Sequence, residues 1–329
     1  LARLYVANDQ WVNARYSLVA LLARSNPDPR WLRFAIRQLI EHGELGGSCK
    51  TYLEQLEALA PDSYAAMELR FRRDIASGEV SVGVSRIEKW LNRDEKPAED
   101  QVRAVAQLMG SQVELLRRRG EGGKAELLAQ SAEALLRQLA KQNPQDKVLL
   151  ARFLMQNGST DEALRWCDEG AVQADPALVA QNWVDFLRST RLDASQTKRV
   201  VAGLQELALK HPERDDLLLQ LANARLLVAD YARAENLYRD VISRHPGSVL
   251  ALNDLALLIA LRDRNPNEAL ELVNRALQTA GPLGYLLDTR AQVYIRLGKF
   301  DLAIRDLNRA IDEDPTADKY FHLAEAELA

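Results

Sequence analysis

The chain has 329 residues, a formal net charge of -4, and 47% hydrophobic against 27% charged residues. That length and balance suit about two average domains or one extended array and exclude a disordered or collagen-like chain. The slight acidity supplies no global positive field for phosphate backbones, so nucleic acid is excluded as a default partner.

Ala, Leu, Arg, Glu and Gln dominate while β-branched and aromatic residues are sparse, which predicts helix nearly throughout and no β-sheet. Residues 1–27 read as a pair of helices whose first member lacks its beginning, with Leu1 already inside a helical pattern. In 28–61 the residues Trp31, Phe34 and Ala35 start a helix. Residues 99–119 read as one long helix, Gly120 to Gly123 as a turn, and the stretch to about 142 as a second long helix. This lengthened pair is either a projecting docking hairpin or a tolerated insertion with a solvated run at Arg117–Arg119. Leu150, Ala151, Leu154, Gly158, Ala163 and Cys167 mark the next pair, whereas "QTKRVVAGLQELAL" further on has no small residue early in the helix. Leu221, Ala222, Tyr231, Ala234 and Tyr238 follow, then Leu255, Ala256, Ile259, Ala269 and Ala276. The clearest pair has Ala291, Tyr294, Leu297 and Gly298 on its first helix, and Phe300, Ala303, Leu307 and Ala310 on its second. Residues 317–329 begin another helix, expected to be poorly packed, and both ends predict a segment of a longer protein.

Prolines 27, 61, 97, 144, 176, 212, 246, 282 and 315 follow helical runs at separations of 34, 36, 47, 32, 36, 34, 36 and 33 residues. About 34 residues make two helices of three to four turns with two short connections. The small residue early in each helix lets two axes approach, and the bulky one three or four residues later fills the groove beside it. This pattern resembles the tetratricopeptide repeat family, strongly over 144–176 and 213–329, moderately over 28–61, and weakly over 62–143 and 177–212. The resemblance implies an all-α, right-handed α-α superhelical solenoid of about nine helical hairpins, the first and last truncated. The expected organisation is N-terminal repeats over 1–97, a lengthened irregular hairpin over 98–143, and C-terminal repeats over 144–329.

Candidate chemistry resolves into ordinary roles. No phosphate loop, nucleophile elbow, dinucleotide fingerprint, HExxH or calcium-loop spacing occurs, so no catalytic residue, cofactor or metal ligand is assigned. Cys49 and Cys167 stand far apart and read as buried thiols, which fits the cytoplasm and permits an extracytoplasmic space. His211 and His245 precede prolines as connectors, Asp215 and Asp216 serve a helix start, and the five tryptophans fall on apolar stripes expected in the core. The most apolar run, 249–261, is short and carries Asn253 and Asp254, so no membrane-inserted segment is expected.

What remains is surface. In tetratricopeptide arrays the first helix of each hairpin, helix A, lines the concave side. Counting repeats from Asp215, Val249 and Gly284, the resemblance implies a groove lined by Asn223, Asn253, Tyr285, Asp288, Gln292 and Arg296. The chaperone-type carboxylate clamp of the family needs Lys and Asn, then Asn, then Lys and Arg. Its places here hold Leu219 and Asn223, Asp254, and Tyr285 and Thr289, so no clamp is expected. The expected function is a non-enzymatic scaffold binding a peptide or partner protein. The alternative is a regulatory or substrate-presenting arm of an enzyme whose catalytic domain lies elsewhere, and a further possibility is self-association through the terminal repeats.

Overall fold

A computed structural model describes residues 2–23, 27–189, 192–262 and 265–329; Leu1, placed inside a helix from the sequence, lies outside them. The described residues form nineteen helices and no strand. They divide into two compact units, Leu1–Phe153 and Leu154–Ala329. Among the described residues no helix is long and apolar enough to cross a membrane.

Unit one contains α1 (Ala2–Ala7), α2 (Trp11–Leu22), α3 (Pro29–Glu41), α4 (Gly47–Leu59), α5 (Tyr64–Ala76), α6 (Val80–Leu91), α7 (Glu99–Arg118), α8 (Gly122–Gln142) and most of α9 (Pro144–Gln156). Its core runs through Leu18, Leu32, Ile36, Cys49, Leu53 and Leu69. The extra length of the irregular hairpin lies in both of its helices, with 20 residues in α7 and 21 in α8. Buried carboxylates add polar ties between helices that also pack through apolar side chains. Asp74 accepts from Arg86 at 2.8 Å and Asp146 from Arg103 at 2.7 Å, each acid almost wholly enclosed.

Unit two contains α10 (Thr160–Gly170), α11 (Pro176–Ser189), α12 (Ala194–Lys210), α13 (Asp215–Leu227), α14 (Tyr231–Arg244), α15 (Val249–Leu261), α16 (Pro266–Ala280), α17 (Gly284–Arg296), α18 (Phe300–Glu313) and α19 (Ala317–Leu328). Hairpins α13–α14, α15–α16 and α17–α18 stack in chain order, with α14 against α15 and α16 against α17. The small positions read from the sequence are the contact points, for Ala222, Ala234, Ala256, Ala269, Ala291, Ala303 and Ala310 are all fully buried. No axis-to-axis approach that close is open to a larger side chain. Arg290 closes the stack by bonding both carboxylate oxygens of Asp306, at 2.6 and 2.9 Å, and Asn274 at 3.3 Å, so α16, α17 and α18 share one guanidinium.

The punctuating prolines play two parts. Pro144 and Pro176 open the next helix, where a missing N–H costs nothing. Pro212 and Pro246 sit in connections whose carbonyls accept from Arg244 (2.7 Å) and Arg275 (2.9 Å), at or near the end of the following second helix. The pair α11–α12 does have a close approach, displaced to mid-helix. Gly203 lies so close to the Trp183 ring that a Cβ there would stand 2.8 Å from it, which is why the early position of α12 could forgo a small residue.

Two expectations need adjusting. Trp90 and Trp183 are buried and Trp166 is half-buried, while Trp11 and Trp31 pack against the unit-one core with one side open, where Trp11 stacks on His42 at 4.0 Å and donates to Glu44 and Trp31 lies beneath Arg3. The segment 317–329 is better packed than expected. It forms α19, whose Ala326 and Leu323 join Ala303 and Leu307 in one cluster, leaving Tyr320, Phe321 and Leu328 on the open side.

Reversals between paired helices need a left-handed residue. Gly158 and Gly298 supply it at φ +84° and +67°, whereas the α13–α14 turn uses Ala229 at φ +59°. Because a Cβ in that conformation costs about 1–2 kcal/mol, Gly298→Ala should lower the urea midpoint of unfolding and Ala229→Gly should raise it. Shifts of the same sign would contradict this account of the turns.

Candidate functional site

The first helices of unit two present one side that stacking leaves uncovered. On α15, helical spacing aligns Leu250, Asp254, Leu257 and Leu261 at i, i+4, i+7 and i+11. On α17 it aligns Tyr285, Asp288, Gln292 and Arg296 in the same manner. Neighbouring first helices are joined along this side. Gln220 of α13 donates to Gln181 of α11 at 2.9 Å, and α15 packs against α17. His322 of α19 bonds Asp288 of α17 through Nδ1 at 2.9 Å, and Glu325 stands 3.8 Å from Arg296.

Of the six sequence-predicted residues, Tyr285, Asp288, Gln292 and Arg296 share the α17 stripe, while Asn223 is tied to α14 and Asn253 is buried. Tyr285 is 43% exposed and Arg296 is exposed beside Glu325. Asp288 accepts from both His322 and Gln292 Nε2, the latter at 3.2 Å. Asn223 is half-buried, and its Oδ1 accepts from the Tyr238 hydroxyl of α14 at 2.6 Å, so its acceptor is committed to the hairpin. Asn253 is only 7% exposed. Its Nδ2 donates to Asp254 at 3.1 Å, while its Oδ1 has no hydrogen-bond partner among the described residues.

Asp254 is the group that the groove count left out. The same run of sequence that shows the α15 stripe would have found it. Burial raises its carboxyl above the ordinary value, opposed by the Asn253 hydrogen bond and by the more distant charge of Arg188. Tyr285 is also raised, first by burial and then by the charge of Asp254.

A tetratricopeptide repeat family model matches residues 219–284, and a second matches 284–317. Residues 219–317 of this chain carry tetratricopeptide repeats. A TPR repeat-containing protein of Pseudomonas aeruginosa is 27% identical over 172 residues, which cover 52% of this chain and 29% of that protein. The chain thus spans less than a third of the length of this relative. Among solved structures, a tetratricopeptide repeat protein from Parabacteroides merdae covers 80% of this chain and 98% of its own length at 13% identity and a TM-score of 0.49. A thermophilic TPR protein of Thermus thermophilus covers 57% of this chain and all of its own at 17% identity and a TM-score of 0.44. In the family's terms α13, α15 and α17 are helices A, and the open side is the helix-A face. Among the described residues no cluster of metal-ligating side chains occurs.

His322 of α19 joins this face through its hydrogen bond to Asp288. Its hydrogen bond to Asp288 raises its pKa above 6.5, burial opposes the rise, and the charges of Asp288, Glu325 and Asp318 add to it. A raised folded value makes the pair's contribution complete below pH ~6.5 and lost as pH climbs through the folded pKa. Titrating the imidazole by NMR should therefore give a value above 6.5 that falls in Asp288→Asn. An unchanged value in that variant would show that Asp288 does not hold the ring.

Proposed function

We propose that the helix-A face of residues 215–296 docks a peptide segment of a partner protein, and that the chain acts as a non-enzymatic interaction scaffold. The observation that carries this reading is the set of large apolar side chains left in water on a face otherwise polar. Leu250 is 55% exposed, Leu261 56% and Tyr285 43%, with Leu227 at the end of α13 also open. Single exposed leucines are ordinary on any protein. Four within three helices of a regular array, on the side that stacking does not use, have the composition of a recognition surface with apolar anchors between hydrogen-bonding groups. Unmet polar capacity lies beside them. No described residue accepts from Asn223 Nδ2, so a peptide backbone can use it, whereas the unpartnered Asn253 Oδ1 is enclosed.

The reading changes which substitutions are informative. Removing Asn223 or Asn253 would strip a partner from Tyr238 or from Asp254 and so disturb the hairpins themselves. Leu250→Glu with Tyr285→Ala alters exposed groups only. Against a random dodecapeptide display library, the wild-type chain should select peptides whose binding is weakened on the order of tenfold or more by this double variant, with helix content unchanged. Full retention of binding, or no selected peptide at all, would remove the helix-A face as the docking surface.

A further inference from the structure

Resting on that reading, we infer that the bound segment carries a lysine or arginine whose cationic head pairs with Asp254 beside the enclosed Asn253. A buried acceptor without a donor costs roughly 1–3 kcal/mol, and Asn253 Oδ1 is one, in a side chain more than nine-tenths enclosed. Its carboxamide spends its described hydrogen bond on the neighbouring carboxylate, at 3.1 Å from Asp254 Oδ1. One planar amide thus places its own oxygen next to an acid, and among the described residues no cation stands within ion-pair distance of that acid, Arg188 acting only from farther away.

The remaining charges of the face narrow the partner further. Asp288 is engaged by His322 and Gln292, and Glu325 faces Arg296. Asp254 has no basic side chain within ion-pair distance among the described residues, Arg188 acting on it only from farther away. The aromatic groups near it are Tyr285 and Tyr238, both pushed upward partly by its charge. A half-buried carboxylate without a counter-ion is unfavourable in the free protein and becomes favourable when a cation arrives. A carboxylate-bearing ligand, such as a free chain end, would add a like charge at the same place. Apolar neighbours suit the rest of a basic side chain. Leu250, Leu257 and Leu261 flank Asp254 along α15, and the methylene stem of lysine or arginine packs on such surface while its head reaches the acid.

The test uses the whole chain and peptides selected from the random dodecapeptide library. Selected peptides should be enriched in Lys or Arg, and acetylating the critical lysine, or replacing the critical arginine by citrulline, should weaken binding by at least about tenfold. With Asp254→Asn, which keeps the side-chain shape, the same peptide change should cost much less, the mark of direct coupling in a double-mutant cycle. Peptides without basic residues that are nonetheless sensitive to Leu250→Glu with Tyr285→Ala would overturn the cation and leave the docking face standing. Peptides indifferent to that double variant would overturn the face itself. Should Asp254→Asn fail to fold, the peptide-side substitutions still decide, because a neutral head that binds as well as the charged one refutes the pairing.

Discussion

Two helices can lie nearly against one another only where an alanine or glycine stands at the crossing, and unit two is organised by that constraint. Ala222, Ala256 and Ala291 recur on the first helices, answered by Ala234, Ala269 and Ala303 on the second. Each crossing fixes the approach of a pair, and each second helix then meets the first helix of the next pair. Stability in such an array is a sum of neighbour interfaces, since no single hairpin buries enough apolar surface to fold alone. The buried network of Arg290, Asp306 and Asn274 adds orientation to contacts that alanine alone leaves free to slide.

The helix-A face follows from the same constraint. Once one side of α13, α15 and α17 is committed to alanine crossings, the opposite side is presented in parallel rows at regular spacing. Residues there are released from packing and can be chosen for recognition, which is where Leu250, Asp254, Leu261 and Tyr285 appear. The face is not free everywhere. Asn223 is anchored by Tyr238 and Asp288 by His322, so the unmet groups concentrate at Asn253 and Asp254, in the middle of the rows.

The repeat was legible in the sequence because its signals are local: a proline or glycine where the chain turns, an alanine where it crosses. Those signals located the pairs over 213–315, and the tetratricopeptide family models match most of the same stretch. The atypical α12 was harder, since its close contact depends on Trp183 of another helix meeting Gly203 and no spacing within α12 reveals that. For the candidate site, helical position alone placed Tyr285, Asp288, Gln292 and Arg296 on one side of α17. It could not show that the Asn253 carboxamide is enclosed, or that Asn223 spends its oxygen on Tyr238, because both depend on how neighbouring helices lean. Nor could it give His322 its role, which exists only once α19 lies beside α17.

The central claim is that this array binds through the side its stacking leaves open. Amide hydrogen exchange with and without a selected dodecapeptide at saturating concentration tests it most directly. The account predicts added protection in α13, α15 and α17, strongest around residues 250–261, with the second helices α14, α16 and α18 changed little. Protection gained mainly on α14, α16 or α18, or confined to unit one, would contradict it.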